Sequence, residues 1–463
     1  MNSETIARLK QAAGAKGFSE DPKEIAPHLE EWRGKYQGRS TLLMKPATVA
    51  DVSAILTICN ETKTALVPQG GNTGLVGGQI AFNGEVILST SRLNKIRAVD
   101  DASQTLIAEA GVPLAQIQKA AAEKNLLFPL SLASEGSCTI GGNLSTNAGG
   151  VAVLRYGMTR DLTLGLEVVL ADGRVLNLLH SLRKDNTGYD LKQIFIGAEG
   201  TLGVITAAAL KLFPMPVERA TAFIAVKDAA SAITLLNRLQ SATSGMMSAF
   251  ELIPRAGMEL LLKHIPGSID PMSAPSPWYV LAEAGSGHGV RAELEDGLSS
   301  AINDGIASDA VIAESETQRA SLWGLRENLS EAQKREAPSI KHDISVPIIA
   351  IPEFIARATA TVLKLAPGAR PITFGHLGDG NLHFNFLGPS GDKSFVERWE
   401  EIQHVVHEMV HEFGGSISAE HGIGVQKRES MARYKSAAEL DVMRMLKKGF
   451  DPSGILNPGK LLP

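Results

Sequence analysis

The stretch Gly375-His-Leu-Gly-Asp-Gly-Asn-Leu-His-Phe-Asn-Phe386 joins a Gly-Asp-Gly turn to a strand whose two faces differ in polarity. Because side chains alternate along a strand, His383 and Asn385 share one face, while the two phenylalanines take the opposite, apolar face. His376 precedes the turn and supplies a second imidazole. The pattern therefore predicts one strand of a packed sheet, with two candidate metal ligands around the turn.

Further along the chain, Ser418-Ala-Glu-His-Gly422 adds a carboxylate and a third imidazole. Two neutral imidazoles and one carboxylate suit Zn²⁺ or a similar divalent ion with an open coordination position. If an alcohol fills that position, the metal lowers its pKa and a nearby histidine can take the proton. A histidine beside a glycine-rich turn is more often a surface or hydrogen-bonding residue, so the motif alone does not establish a metal.

The bulk composition excludes several classes of protein. A chain of 463 residues has room for two or three domains, and a net charge of −5 with 21% charged residues lacks the basic signature of nucleic-acid binding. Only two cysteines occur, Cys59 and Cys138, which fits a reducing compartment. No apolar run reaches the roughly 18 residues of a membrane span, and the N-terminus lacks a signal-peptide pattern. These features predict a cytoplasmic protein.

The pattern of strands and helices changes along the chain. The first part includes a helix at 48–62 that begins with a capping box, and a hairpin with an Asp172-Gly173 turn. From 220 to 420, strand-like segments alternate with helices, which predicts an α+β domain whose helices cover one face of a sheet. We therefore expect domains at 1–215 and 216–420, followed by a C-terminal segment at 421–463.

Two glycine-rich loops are candidate anion sites. The first reads Pro68-Gln-Gly-Gly-Asn-Thr-Gly74, and the second reads Ser137-Cys-Thr-Ile-Gly-Gly-Asn-Leu-Ser-Thr-Asn-Ala-Gly-Gly150. Successive small residues let backbone N–H groups converge on an anion, so two such loops suit a ligand with two phosphates. Neither loop has the glycine spacing of a Rossmann site or a P-loop, and either loop alone could be only a tight turn.

Taken in order, eight motifs carry a resemblance that covers nearly the whole chain. This sequence resembles the FAD enzymes of the vanillyl-alcohol oxidase type, and within them the D-2-hydroxyacid dehydrogenases, closest to their hydroxyglutarate branch. The resemblance implies an α+β fold: a two-subdomain FAD-binding domain, an α+β substrate (cap) domain with an antiparallel sheet, and a C-terminal segment that returns to the flavin. The motifs lie at 68–74, 136–150, 155–157, 184–191, 197–203, 375–385, 418–424 and 454–458.

The resemblance also implies which residues hold FAD. The two glycine loops would bind the pyrophosphate, two later residues would pack on the adenine side, and one would lie near the flavin ring. These are Gly70, Gly71, Asn72, Thr73, Gly74, Ser137, Gly141, Gly142, Asn143, Thr146 and Gly150 for the loops, Gly200 and Ile205 for the adenine side, and Asn457 for the ring. Members with covalent flavin often have a histidine in the first loop; this loop has none, which predicts non-covalent FAD.

For the reaction itself, the family pattern implies a metal site, a base and a cationic substrate site. His376, His383 and Glu420 would bind the metal, which we expect to be zinc, with manganese or cobalt as alternatives. His421 would be the catalytic base, and Asn385 would contact the substrate. In the hydroxyglutarate branch an arginine, a hydroxyl residue four positions later and a lysine hold carboxylate, and these fall on Arg326, Ser330 and Lys341.

Two points in this assignment stay open. Without the family pattern, Arg326 and Lys341 would pass for ordinary surface charges. Close relatives commonly carry threonine where Ser330 stands; serine keeps the donor but lacks the methyl group, so substrate size is left open. D-lactate or glycolate is the alternative substrate. The resemblance further suggests an electron-transfer flavoprotein or a quinone as electron acceptor, and a homodimer is the general expectation for oligomeric state.

Two rival functions come from other classes of protein. His407-Glu-Met-Val-His411 matches the zinc-protease signature on a helix, but Ile417 stands where a third histidine ligand would follow. A protease would also leave both glycine loops unexplained. The second rival is a non-catalytic flavin-binding module, which would have no use for a metal-bound alcohol and a base. We therefore predict an FAD-dependent dehydrogenase acting on a CH–OH group.

Overall fold

The computed structural model describes residues 1–389 and 391–463, and its contacts divide the chain into two compact units. The first unit comprises Met1–Gly150, Gly157–Met215 and Glu420–Pro463, and the second comprises Val151–Tyr156 and Pro216–Ala419. Among the described residues, no helix is both long and apolar enough to cross a membrane.

Helices occur in both units. The first unit holds α1 to α5, α7, α15 and α16, and the second holds α6 and α8 to α14. Their bounds are α1 Ser3–Ala13, α2 Pro22–Leu29, α3 Val49–Thr62, α4 Leu114–Ala122, α5 Ile140–Thr146, α6 Val153–Tyr156, α7 Lys192–Phe195, α8 Ala229–Ala242, α9 Arg255–His264, α10 Val290–Asn303, α11 Glu316–Glu327, α12 Leu329–Glu336, α13 Ile351–Leu365, α14 Trp399–Glu412, α15 Arg428–Tyr434 and α16 Ala437–Phe450.

The first unit is built on two main sheets, which matches the expected pair of subdomains. One has the order β1-β2-β4-β3, with β2, β4 and β3 parallel; the other has the order β5-β6-β10-β8-β9 and is antiparallel. Strands β7 and β11 form a separate pair. The bounds are β1 Phe18–Ser19, β2 Leu43–Met44, β3 Leu66–Gln69, β4 Val86–Ser89, β5 Ile96–Asp100, β6 Thr105–Glu109, β7 Leu126–Leu127, β8 Thr163–Val169, β9 Val175–Leu178, β10 Val204–Lys211 and β11 Phe213–Pro214.

Two local features predicted from the sequence, a capping box and a hairpin, lie in this unit. Thr48 caps α3: its hydroxyl accepts from the backbone N–H of Asp51, and the Asp51 carboxylate accepts from the N–H of Thr48. Strands β8 and β9 pair antiparallel around Gly173, whose φ of 87° is one that glycine adopts without strain. The predicted capping box and hairpin are both confirmed.

The second unit contains a larger antiparallel sheet with the order β15-β12-β14-β13-β18-β19-β16, in which β17 also pairs with β19. This sheet and its helices confirm the α+β class. The bounds are β12 Glu218–Val226, β13 Met247–Pro254, β14 Trp278–Ser286, β15 Asp309–Ile312, β16 Ser339–Ile340, β17 Asp343–Ser345, β18 Arg370–His376 and β19 Asn381–Leu387.

Helices cover both faces of this sheet, so the expectation that they cover one face is wrong. One core lies between the sheet and α8, α10, α13 and α14, and a second core lies between the sheet and α9, α11 and α12. The physical reason is visible in β12, which is buried at every position from 220 to 226, as strands covered on both sides are. In β19, Phe384 and Phe386 enter the first core, as the alternation predicts.

Candidate active site

A groove in the first unit brings both glycine loops together. Most of the residues predicted to bind FAD line it, and so does His421. The predicted residues on its wall are Gly70, Gly71, Asn72, Thr73, Gly74, Gly141, Gly142, Asn143, Thr146, Gly200 and Ile205. None of the described residues that line this groove is an arginine or a lysine. Backbone N–H groups and hydroxyls must therefore meet the charge of a bound pyrophosphate.

The two loops approach so closely that side chains would not fit between them. A Cβ atom on Gly71 would collide with the carbonyl oxygen of Ser137. At Gly142 the situation differs, because its Cβ would meet only the hydroxyl of Thr139, at an ordinary 3.6 Å. Packing thus requires glycine at position 71, whereas position 142 opens onto the groove itself.

Several polar groups at the groove have no partner within the described chain. The hydroxyls of Thr90 and Thr139 and the side-chain amide nitrogen of Asn143 are buried without a hydrogen bond, although their residues line the groove. Leaving a buried polar group unpaired costs about 1–3 kcal/mol. A polar ligand that occupies the groove would offset that cost, so the residues fit FAD.

Three predicted FAD residues lie outside the groove wall. The backbone of Ser137 packs against Gly71, and a Cβ on Gly150 would collide with the carbonyl oxygen of Ser131. Asn457 is 2% exposed and donates through its amide to the carbonyl oxygens of Gly78 (2.9 Å) and Glu199 (2.7 Å). Direct contacts of Ser137, Gly150 and Asn457 with FAD stay predictions.

Glu199 connects this groove to the segment that follows His421. Its carboxylate is buried and accepts from the backbone N–H groups of Ile423 (2.7 Å) and Gly424 (2.8 Å). Burial raises the pKa of Glu199, against the opposing effect of these hydrogen bonds and of the charge of Lys427. Its φ of 50° is unusual for a residue with a side chain, which indicates that the surrounding contacts hold it in place.

In the second unit, sheet register brings the imidazoles together. Phe374 pairs with His383 across β18 and β19, and Glu251 pairs with His376 across β13 and β18. The rings of His376 and His383 are 5.6 Å apart at 72°, and the ring of Phe374 is 4.9 Å from that of His383. Two imidazoles at this separation can converge on one ion.

A fully buried carboxylate joins one of these imidazoles to an arginine. Glu251, with no exposed surface, lies 2.6 Å from His376 Nδ1 and accepts from Arg326 Nε, also at 2.6 Å. Burial opposes ionisation, but the charges and hydrogen bonds of His376 and Arg326 outweigh it and hold the pKa of Glu251 below its ordinary value. The guanidinium of Arg326 also lies 4.8 Å from the centre of the Phe374 ring.

The other two residues predicted to hold the substrate carboxylate, Ser330 and Lys341, are exposed. Ser330 is in the first turn of α12, and Lys341 lies between β16 and β17. The pKa of Glu331 is lowered mainly by its hydrogen bond with Arg335, and in smaller part by the charges of Lys334 and Lys341. Lys341 is therefore close to the first turn of α12, where Ser330 lies.

Asn385 is buried, and both ends of its amide are engaged by protein. Its oxygen accepts from the backbone N–H of His342 at 3.1 Å, and its nitrogen donates to the side-chain oxygen of Gln333 at 3.1 Å. These hydrogen bonds fix the backbone at His342, the residue that follows Lys341. The predicted contact between Asn385 and substrate stays a prediction.

The protease-like helix α14 does not assemble a zinc site. His407 is 2% exposed, and its ring packs edge-on against His342 at 6.3 Å, whereas His404 is half-exposed beside Glu408. Within the part of the chain that the structure describes, no cluster of three metal-ligating side chains includes His404, His407 or His411. A packing and surface role accounts for these residues.

Family models match both halves of the chain. A model described as "FAD binding domain" covers residues 40–179, and one described as "FAD linked oxidases, C-terminal domain" covers residues 215–461. The chain belongs to the FAD-linked oxidases. This confirms the resemblance seen in the sequence and identifies the groove of the first unit as part of an FAD-binding domain.

Two curated relatives match this oxidase over its full length. The chain is 42% identical over 466 residues to "D-2-hydroxyglutarate dehydrogenase, mitochondrial" of Bos taurus, covering all of this chain and 84% of that protein. It is 37% identical over 466 residues to "D-2-hydroxyglutarate dehydrogenase" of Xanthomonas citri pv. viticola, covering all of this chain and 97% of the relative.

Solved structures share the fold of this oxidase at low sequence identity. Alkyldihydroxyacetonephosphate synthase matches with a TM-score of 0.78 and 18% identity, over 100% of this chain and 85% of that one. p-Cresol methylhydroxylase with bound substrate matches with a TM-score of 0.76 and 16% identity, over 99% of this chain and 96% of that one. These similarities support the α+β fold predicted from the sequence.

Sequence reasoning about this oxidase missed two carboxylates, Glu199 and Glu251. Glu251 has a local signal, because a lone glutamate stands between Phe250 and Leu252 in an apolar strand, and such a charge must be paired if the strand is buried. Glu199 lies inside a quoted glycine motif, but nothing in the motif shows that its carboxylate faces the segment after His421.

Gly142 gives a direct test of the groove. Gly142→Leu should leave the apoprotein folded but fill space that FAD uses, weakening FAD binding by about 1–3 kcal/mol, or roughly five- to hundredfold. Flavin fluorescence on titration of apoprotein would measure the affinity, and the apoprotein melting temperature would measure folding. Gly136→Leu is the control, because nothing lies within 4 Å of its Cβ and it is not on the groove wall. Equal FAD affinity in both variants would contradict the assignment.

Proposed function

We propose that this FAD-linked oxidase oxidises D-2-hydroxyglutarate to 2-oxoglutarate with reduction of FAD. The observation that carries the proposal is the shared position of Arg326, His376 and His383 around Phe374, where a cation stands beside two imidazoles. The names of the full-length relatives support this substrate. In this proposal residues 1–215 bind FAD, residues 216–420 bind metal and substrate, and residues 421–463 return to the flavin.

A divalent metal is part of the proposal, with His376, His383 and Glu420 as ligands. The support is chemical, because the Nδ1 side of His376 faces the Glu251 carboxylate and its Nε2 is then the nitrogen suited to a metal. Two imidazoles and one carboxylate suit zinc, and also manganese or cobalt. Glu420 immediately precedes His421, so one short segment would supply both a ligand and a base.

The reaction removes one proton and one hydride from the substrate. When bound, a divalent ion supplies Lewis acidity toward a hydroxyl oxygen, and FAD supplies the acceptor for the hydride from Cα. His421 takes the hydroxyl proton on an imidazole nitrogen, as a histidine placed beside the reacting group can. Its place on the groove wall supports this role, because the base must act beside the flavin.

Recognition of the substrate rests on cations and hydrogen-bond donors. Arg326 can hold a carboxylate through two parallel hydrogen bonds, and Ser330 and Lys341 add donors near the first turn of α12. Asn385 contributes to this site either by contacting the substrate or by fixing the backbone at His342, next to Lys341. D-Lactate or glycolate is the second candidate substrate within the same chemistry.

The proposal extends to the surroundings of the enzyme. FAD would be dissociable, since the first glycine loop has no histidine to bond it. Re-oxidation would use an electron-transfer flavoprotein or a quinone, and a homodimer is the expected assembly. Cys59 and Cys138 are both buried as free thiols, which suits a reducing compartment, and we propose the cytoplasm.

Anaerobic addition of substrate to the purified, metal-replete protein tests the function. We expect D-2-hydroxyglutarate to bleach the visible flavin band, and D-lactate and the L-isomer to bleach it more slowly or not at all. If only D-lactate bleaches the flavin, D-lactate takes the place of D-2-hydroxyglutarate as the proposed substrate, and the proposed type of reaction still holds. Absence of a flavin spectrum after FAD addition would overturn the assignment of the groove.

His421→Ala tests the base. The variant should keep FAD, because backbone groups of the two loops hold it, but its rate of anaerobic bleaching should fall by about 10²- to 10⁴-fold. His404→Ala is the control, since that histidine is half-exposed on α14. A His421→Ala variant that bleaches at the rate of the unaltered enzyme would show that another group takes the proton.

Lys341→Ala tests recognition of the distal carboxylate. Losing one charge-assisted contact should cost about 1.5–3 kcal/mol, so kcat/KM for D-2-hydroxyglutarate should fall roughly ten- to hundredfold. D-Lactate has no distal carboxylate, so its kcat/KM should be nearly unchanged. Lys334→Ala removes another exposed lysine close by and serves as control. If both substrates lose the same factor, Lys341 does not select the diacid.

A further inference from the structure

We propose that Glu251 is a positioning residue that orients the metal-binding ring of His376 and the substrate-binding guanidinium of Arg326 at the same time. The inference rests on the proposed function, because it takes His376 as a metal ligand and Arg326 as a carboxylate-binding residue. It adds a residue that touches neither metal nor substrate. It also makes metal binding and diacid recognition depend on one side chain.

The geometry that supports the proposal is fixed by the sheet and by one helix end. Glu251 on β13 is the register partner of His376 on β18, and Arg326 lies in the last turn of α11. The two carboxylate oxygens are used separately: Oε1 lies 2.6 Å from His376 Nδ1 and Oε2 lies 2.6 Å from Arg326 Nε. Glu251 has no exposed surface, so bulk solvent does not reach either oxygen.

For His376, the contact determines which ring nitrogen carries the proton. An ionised carboxylate only accepts hydrogen bonds, so Nδ1 must donate. In the neutral ring the lone pair then lies on Nε2, the form that a metal needs. Carboxylates that hold metal-ligating histidines in this way typically contribute a factor of 10 to 100 to metal affinity.

For Arg326, the same carboxylate fixes the direction of the guanidinium. Its Nε donates to Glu251 and its Cζ lies 4.8 Å from the centre of the Phe374 ring, which leaves the terminal Nη groups to bind a substrate carboxylate through two hydrogen bonds. Because Phe374 also packs against His383, the arginine and the imidazoles share one rigid support. The spacing between the oxidised carbon and the bound carboxylate is thereby set by the protein.

Glutamine at position 251 cannot reproduce this arrangement, although its shape is the same. Its amide has one accepting oxygen and one donating nitrogen, whereas the site presents two donors. If the oxygen faces Arg326, the amide nitrogen donates to Nδ1 and forces the His376 proton onto Nε2. If the oxygen faces His376, two donors confront each other at Arg326.

The test compares Glu251→Gln with Glu283→Gln in the FAD-loaded, metal-free enzyme. Glu283 is a matched control, because its carboxylate also joins a ring N–H and an arginine, Trp323 (2.8 Å) and Arg319 (3.1 Å), on the neighbouring strand β14. Zn²⁺ affinity would be measured by competition with a chromogenic chelator. We expect the Zn²⁺ dissociation constant to rise about 10- to 100-fold in Glu251→Gln and by less than about threefold in Glu283→Gln.

A second measurement needs no variant of Glu251. Histidine labelled with ¹⁵N shows by NMR which ring nitrogen is protonated, and the His376 signals can be assigned as those missing from His376→Asn. We expect the proton of His376 on Nδ1 in the unaltered, metal-free enzyme. A ring whose only proton lies on Nε2 would overturn the proposal, even if Glu251→Gln failed to fold.

The outcomes separate this proposal from the proposed function. Equal Zn²⁺ affinity in the unaltered enzyme and in Glu251→Gln would overturn the positioning role and leave the metal site intact. Failure of the unaltered enzyme to bind Zn²⁺ would overturn the metal site and this inference together, while flavin bleaching would still decide whether D-2-hydroxyglutarate is the substrate. If Zn²⁺ affinity falls in Glu251→Gln but not in Glu283→Gln, and the His376 proton is on Nδ1, the positioning role of Glu251 is supported.

Discussion

A charged carboxylate with no exposed surface must be matched by donors, and this requirement organises the face of the second unit that carries the candidate site. Removing an ion from water is costly, so Glu251 persists there because His376 and Arg326 both reach it. One partner comes from a neighbouring strand and the other from a helix end. Strand register and the position of α11 are consequently constrained by the same interaction that presents an imidazole and a guanidinium on one face.

The first unit handles charge in a different way. Its groove has neither arginine nor lysine among the described residues on its wall, and two loops approach too closely for side chains at Gly71. Backbone groups and hydroxyls are short and rigid, which suits a cofactor that must lie in one orientation. In the second unit, by contrast, the residues proposed to bind the substrate include a buried arginine and an exposed lysine. The FAD groove and the proposed substrate site thus differ in the groups that they offer to an anion.

Features that depend on neighbouring residues in the sequence could be predicted well. Local rules predict the capping box at Thr48, the hairpin at Gly173 and the alternation of β19. Both glycine loops, also recognised from the sequence, line the groove. Features that depend on distant partners could not. The sequence shows that Glu251 is an isolated charge in an apolar strand, but only the sheet pairing shows that His376 is its partner. The coverage of the sheet by helices on both faces was missed for the same reason, since it depends on how α9, α11 and α12 pack.

The histidines of the second unit show why the surroundings of a ring decide its chemistry. His407 belongs to a helical motif known for binding zinc, yet it is buried edge-on against His342 and packs in a core. His376 belongs to no such motif, but a carboxylate holds its Nδ1 side, and a second imidazole lies 5.6 Å away. A metal needs lone pairs directed into a shared space, and helical spacing alone does not show that they are so directed. In the proposed metal site, the partner of the ring gives a physical reason for metal binding that a motif alone does not give.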